Sequence, residues 1–144
     1  MRQMMEPKAA GWAAKHGTDA QHADIEAAQI RMEEESHSIE DFVVADALFH
    51  RAILRAANNE ILLSMEGVIF SALLSSIRLT NRDPRENVSS IPFHRKVLDA
   101  IKARDHKQAE KMMNDHLSDT SQRLKIALGE TPGGVISNGG PRTD

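Results

Sequence analysis

Three features of this 144-residue chain predict an all-helical bundle. Helix-forming Ala, Leu, Met, Glu and Lys dominate, while aromatic residues make up 3% and strand-like alternation is absent. Apolar residues recur at three- and four-residue spacing, most clearly Ile39, Phe42, Val43, Phe49, Ile53, Leu54 and Ala57. Helix-start signals also stand ahead of such stretches, at Thr18, Ser38 and Asp105. The expected architecture is an antiparallel bundle of about six to seven helices over residues 1–128, with a disordered tail at 129–144.

In chain order, residues 1–15 read as a first helix, with Arg2 and Glu6 one turn apart. Pro7 lies close to its start, where a proline is tolerated in a first turn or at a kink. A turn at His16-Gly17 leads to the capping box Thr18-Asp19-Ala20-Gln21. The helix this box opens carries Ile25, Ala28 and Met32 inward and ends in the acidic run Glu33-Glu34-Glu35, a solvated surface. Ser38 caps the third helix, and Asn58-Asn59 ends it, Asn being the usual alternative to Gly at a left-handed terminus.

Residues 60–79 form the most apolar segment, and apolar residues on nearly every side predict a central helix packed all round. Residues 81–89, with Pro84 and alternating charges, read as a loop. Ser90 then caps a helix with Pro92 in its first turn, and Asp105 to Gln108 launches the last helix, to about Leu128. The glycine pairs beyond Gly129 mark the tail.

Composition removes several classes of function. A net charge of −3 argues against holding nucleic acid through bulk electrostatics. No apolar run reaches the roughly 18 residues of a membrane span, and the first residues lack a secretory signal, so a cytoplasmic location is expected. With no cysteine, disulfides and thiolate chemistry are excluded, and a metal would need histidines and carboxylates.

Two of these residues, Asp46 and His50, lie four apart on the core-facing stripe of the third helix. Inside a core they must be paired, hydrogen-bonded or metal-bound, because an unsatisfied buried polar group costs about 2 kcal/mol or more. In the last hairpin His94 precedes Asp105 by 11 residues and His116 follows it by 11. Antiparallel helices therefore bring both imidazoles to one height, and each lies on an apolar stripe. His16, His22, His37 and His106 fall at turns or on polar faces. Asp46, His50, His94 and His116 thus suggest a divalent-metal site between bundle helices, with Zn²⁺ first and Ni²⁺, Mn²⁺ or Fe²⁺ as alternatives. The competing reading is four hydrogen-bonded core residues without a metal.

A wider pattern contains these residues: Arg2-x-x-x-Glu6-Pro7; Asp46-x-x-Phe49-His50-x-x-Ile53 followed by Asn59; His94-Arg95-x-x-Leu98-x-Ala100-Ile101; and Asp105-x-x-x-Ala109-x-x-Met112-x-x-x-His116-Leu117. Together they resemble the FadR-type C-terminal ligand-sensing domain of GntR-family transcription regulators, from about Arg2 to Leu128. The resemblance implies an all-helical bundle, in many members with a central divalent metal on the residues matching Asp46, His50, His94 and His116. It also implies an effector that is a small carboxylic acid: a sugar acid such as galactonate or gluconate, or an organic or fatty acid. Arg2 matches an arginine that helps bind the effector carboxylate in some members. Ser75, Arg78 and Thr80 are further pocket candidates, from the polar end of an apolar helix. The chain departs from the pattern at Phe93, where the family usually has an acidic or polar residue. The family's DNA-binding winged helix-turn-helix lies outside these 144 residues, since Met1 already falls within the first sensing-domain helix.

The expected function is effector sensing by a non-enzymatic domain, as a homodimer that reaches DNA only through that other domain. Two alternatives are a small metal-dependent hydrolase and a metal-free helical interaction module. The hydrolase lacks an obvious glutamate base on these stripes.

Overall fold

The computed structural model describes residues 2–129, so all of the expected tail except Gly129 lies outside the described residues. Seven helices follow in order: α1 (Arg2–His16), α2 (Asp19–Glu34), α3 (Ile39–Ala56), α4 (Glu60–Ser64), α5 (Glu66–Thr80), α6 (Pro84–Lys102) and α7 (His106–Ala127). No strand occurs among the described residues. α1 packs most extensively on α7, α2 on α3 and α6 on α7, while α3 also meets α1 and α5.

Local chemistry places the helix ends. Thr18 and Gln21 cap α2 reciprocally, and Gln21 Nε2 also donates to Asn58 Oδ1 at 2.9 Å. Asn58 adopts φ 52°, the left-handed conformation expected after α3, and Asn59 caps α4. α1 is lined by Ala9, Ala10, Ala13 and Ala14, all fully buried, so its backbone lies close to its neighbours. Gly11 belongs to the same device: a Cβ there would lie 3.3 Å from the carbonyl oxygen of His106. Pro7 is inside α1 and buried, and without an N–H it leaves the Gln3 carbonyl without its helical donor. Phe42, Phe49, Ile53, Leu73, Leu98, Ile101 and Met113 fill the centre, each large apolar side chain contributing about 1.5–3 kcal/mol.

Two expectations need correction. Residues 81–89 are not a loop throughout: Asp83 caps α6, with Pro84 in its first turn. Pro92 is consequently an interior residue of that helix, on its exposed side. The apolar segment 60–79 is neither one helix nor packed all round. It breaks at Met65, and α5 buries only Ile69, Leu73, Ile77 and Thr80. Ile61 and Val68 are 69% and 73% exposed. Two apolar faces are present in the sequence, and the described residues cover one.

Candidate functional site

α3 supplies Asp46 and His50 one turn apart, α6 supplies His94 and α7 supplies His116; all four are buried. The hairpin register brings the rings of His94 and His116 to 4.1 Å between centroids, and His50 stacks on His116 at 5.3 Å. One nitrogen from each of the three histidines lies within 4.8 Å of the others. Asp46 Oδ1 is 2.9 Å from His94 Nε2 and 3.1 Å from His50 Nε2. The edge of Phe49 packs against His94, and Phe93 lies beside His116, forming an apolar wall at the position that departs from the family pattern.

The outward-turned atoms of these residues fix the inward ones. His94 Nδ1 lies 2.9 Å from the Ser90 carbonyl oxygen, which only accepts, so Nδ1 carries the hydrogen. His50 Nδ1 lies 2.5 Å from Glu6 Oε1, a close charge contact outside hydrogen-bond geometry, and the adjacent carboxylate disfavours a bare lone pair on Nδ1. Asn81 Nδ2 donates to Asp46 Oδ2 at 3.1 Å, leaving Oδ1 turned inward. In their neutral forms His50 and His94 therefore direct Nε2 lone pairs at Asp46 Oδ1. His116 Nε2 faces His50 Nε2 at 3.4 Å. Arg2 Nη2, 3.2 Å from His50 Nε2, is the donor that reaches this group from α1.

Facing acceptors at such distances require an extra proton or a cation between them. Three imidazoles and a carboxylate suit a borderline divalent ion, and two of the four side chains, Asp46 and His94, have a hydrogen-bonded rear atom, as metal ligands characteristically do. The residues present fit a metal.

Burial and the neighbouring charges shift Asp46, Glu6, His50 and His116. Burial alone would raise the pKa of Asp46, but His94 and His50 hold it well below the usual carboxylate range. Burial would likewise raise Glu6, yet Arg2 and His50 bring it down to about 2. Burial lowers His50, and the Glu6 carboxylate, with hydrogen bonds to Asp46 and Glu6, outweighs it, so the net shift is upward. His116 is pushed well below its ordinary value by burial and by His94 and His50, which keeps it neutral.

Beside this centre is a cavity of about 200 Å³ lined by Arg2, Gln3, Ser76, Thr80, Leu117, Thr120, Ser121 and Leu124. Arg2 joins the two, since it lines the cavity and touches His50. A larger groove of about 390 Å³ between α2 and α3 is away from the histidines, and its Arg31, Arg51 and Arg55 are matched by Glu35 and Glu66. Of the two, the smaller cavity adjoins the histidine cluster, through Arg2.

Of the predicted pocket residues, Arg2 and Thr80 line the cavity. Ser75 and Arg78 are exposed on the outer side of α5, and Arg78 pairs with Glu40 at 3.6 Å. Helical register explains the difference, because Ser76 and Thr80, four apart, share the inner face. Thr120 follows His116 by one turn and could have been found by the same spacing. Glu6 went unassigned although it falls on the alanine stripe of α1, where a carboxylate needs partners. His22, read as a surface residue, is buried, and its Nε2 bonds the Ala13 carbonyl at 2.8 Å.

Residues 1–119 match the model of the FCD domain. The galactonate operon transcriptional repressor of Escherichia coli (strain K12) is 29% identical over 126 residues, covering 87% of this chain and 55% of that protein. The HTH-type transcriptional repressor NanR of Salmonella newport (strain SL254) is 29% identical, covering 84% of this chain and 47% of its own length. This chain thus spans about half the length of these relatives, which are transcriptional regulators, not enzymes. A solved structure, Streptococcus agalactiae GntR, shares the fold with TM-score 0.67 at 22% identity, over 89% of this chain and 55% of that one.

Proposed function

This chain belongs to the FCD domain family of GntR-type transcriptional regulators, and on that premise we propose that it senses a small carboxylate at a divalent-metal centre. The observation that carries the reading is the convergence of His50, His94 and His116 nitrogens and Asp46 Oδ1 as acceptors around one point. Asp46, His50, His94 and His116 would hold the ion, Zn²⁺ first and Ni²⁺, Mn²⁺ or Fe²⁺ after it. Bound there, the ion supplies Lewis-acidic positions for oxygen donors.

The chain's own residues do the rest. Arg2 offers charge-assisted hydrogen bonds to a carboxylate. Thr80, Ser76, Thr120 and Ser121 offer hydroxyls to a polyol chain, which favours a sugar acid. One matched relative is named for galactonate, so galactonate is the first compound to test. The folded domain is residues 1–128. In the parent regulator, working in the cytoplasm, a separate N-terminal domain would contact DNA, and the effector acts only by binding two arrangements with different affinity.

The uncovered stripe of α4 and α5 supports homodimerisation. Pairing two α5 helices antiparallel about Ala72 brings Met65 level with Leu79, and Glu66, six residues before Ala72, level with Arg78, six after it. Small Ser71 and Ser75 flank the crossing point and permit close approach.

Elemental analysis and isothermal titration of the purified chain with galactonate, with and without chelator, test the reading. Near-stoichiometric metal and binding that disappears with chelator are expected. Metal-free protein that takes up no Zn²⁺ would leave a protonated, hydrogen-bonded core and overturn it.

A further inference from the structure

We propose that Glu6 is the positioning residue of this centre: its carboxylate locks the tautomer of His50 and holds Arg2 at the cavity. As far as it concerns metal affinity, this rests on the reading of Asp46, His50, His94 and His116 as ligands.

Glu6 is 1% exposed, in a helix face otherwise made of alanines. A bare carboxylate there would be strongly disfavoured, and Oε2 is hydrogen-bonded while Oε1 lies in close charge contact with an imidazole. Oε1 is 2.5 Å from His50 Nδ1, and Oε2 accepts from Arg2 Nε at 2.7 Å. The negative charge at Oε1 favours a hydrogen on Nδ1 over a bare lone pair, and so leaves the Nε2 lone pair toward Asp46 and His116. The bond at Oε2 leaves Arg2 Nη2 free to reach past Glu6 to the centre, one turn along the same helix.

The three histidines are supported differently. His94 leans on the Ser90 carbonyl of its own helix, and among the described residues neither His116 Nδ1 nor His50 Nδ1 meets a partner in hydrogen-bond geometry. Of the three Nδ1 atoms, that of His50 is the one that lies against a carboxylate, and the carboxylate comes from another helix. A negatively charged acceptor on Nδ1 also raises the basicity of Nε2, which strengthens it as a ligand. One side chain of α1 therefore sets both the donor strength of a ligand on α3 and the place of the effector-facing guanidinium.

The test pairs Zn²⁺ affinity, by chelator competition, with histidine tautomers from long-range ¹H–¹⁵N spectra of metal-free protein. Wild-type His50 is expected as the Nδ1–H tautomer alone. Glu6→Gln offers either an acceptor or a donor to Nδ1, so a mixture of tautomers and a roughly 10–100-fold weaker Zn²⁺ affinity are expected. In a His50→Ala background Glu6→Gln should add no further loss. Unchanged tautomer and affinity, or an equal loss without His50, would overturn the proposal. Failure of the wild type to bind Zn²⁺ would overturn the metal reading instead, and the tautomer would still decide the role of Glu6. Should Glu6→Gln not fold, Arg2→Ala with Glu6→Leu removes the buried pair together and carries the same two readouts.

Discussion

At the scale of single residues, the centre is a set of buried polar groups whose front atoms face one another, with the rear atoms of Asp46 and His94 tied down by hydrogen bonds. His50→Ala with His116→Ala removes two of four ligands, and metal content by elemental analysis should fall from near one equivalent to background. Arg2→Ala should leave metal content intact and weaken galactonate binding in titration, because the role proposed for it is to meet the effector. Acid provides a separate check through Glu6, whose pKa falls from 4.5 to about 2 on folding. A depressed carboxyl contributes stability above its unfolded value, and that contribution is lost as pH falls from about 4.5 toward 2. At about 1.4 kcal/mol per unit, the loss is on the order of 3 kcal/mol. Urea melts across this window should show a smaller fall for Glu6→Gln than for wild type. Spacing alone revealed Asp46, His50, His94 and His116, since each is polar on an apolar stripe. Glu6 was harder to read, because nothing in an alanine-rich helix says which distant histidine will face it.

Helix caps were the most legible feature at the scale of elements. Thr18 with Gln21, Ser38 and Asp105 each do what their side chains predict, since capping depends on a few neighbouring residues. The start of α6 was misread because Asp83-Pro84, a good cap and first turn, sits in a charged stretch that resembles a loop. α4 and α5 failed for another reason. Periodicity counts apolar faces, but only tertiary structure decides what covers them. The stripe from Ile61 to Leu79 should pair two copies, so sedimentation equilibrium should show a dimer that Val68→Glu shifts toward monomer by at least tenfold in dissociation constant. Val68 is too exposed for that change to disturb the fold, and the far-ultraviolet circular dichroism should be unaltered.

For the whole molecule, the bundle brings residues from four helices to one point, so binding should register as stability. Galactonate should raise the melting temperature only when metal is present, following about 2.7 kcal/mol at a hundredfold excess over its dissociation constant. Fluorescence anisotropy with operator DNA should show no tight, salt-sensitive, sequence-specific binding by these 144 residues. The net charge of −3 supports that expectation, as do acidic neighbours such as Asp83 beside Arg85.

The meeting of α1 with α7 also bears on time. Glu6 and His116 belong to opposite ends of the described chain, so the centre cannot close until the last helix has docked on the first. Closing so long a loop is entropically costly, and contacts of that kind form late. A nascent chain that has not yet released α7 from the ribosome would carry Asp46, His50 and His94 without their fourth partner. Zn²⁺ present during refolding should accordingly slow unfolding far more than it speeds folding, a division that stopped-flow measurements read directly.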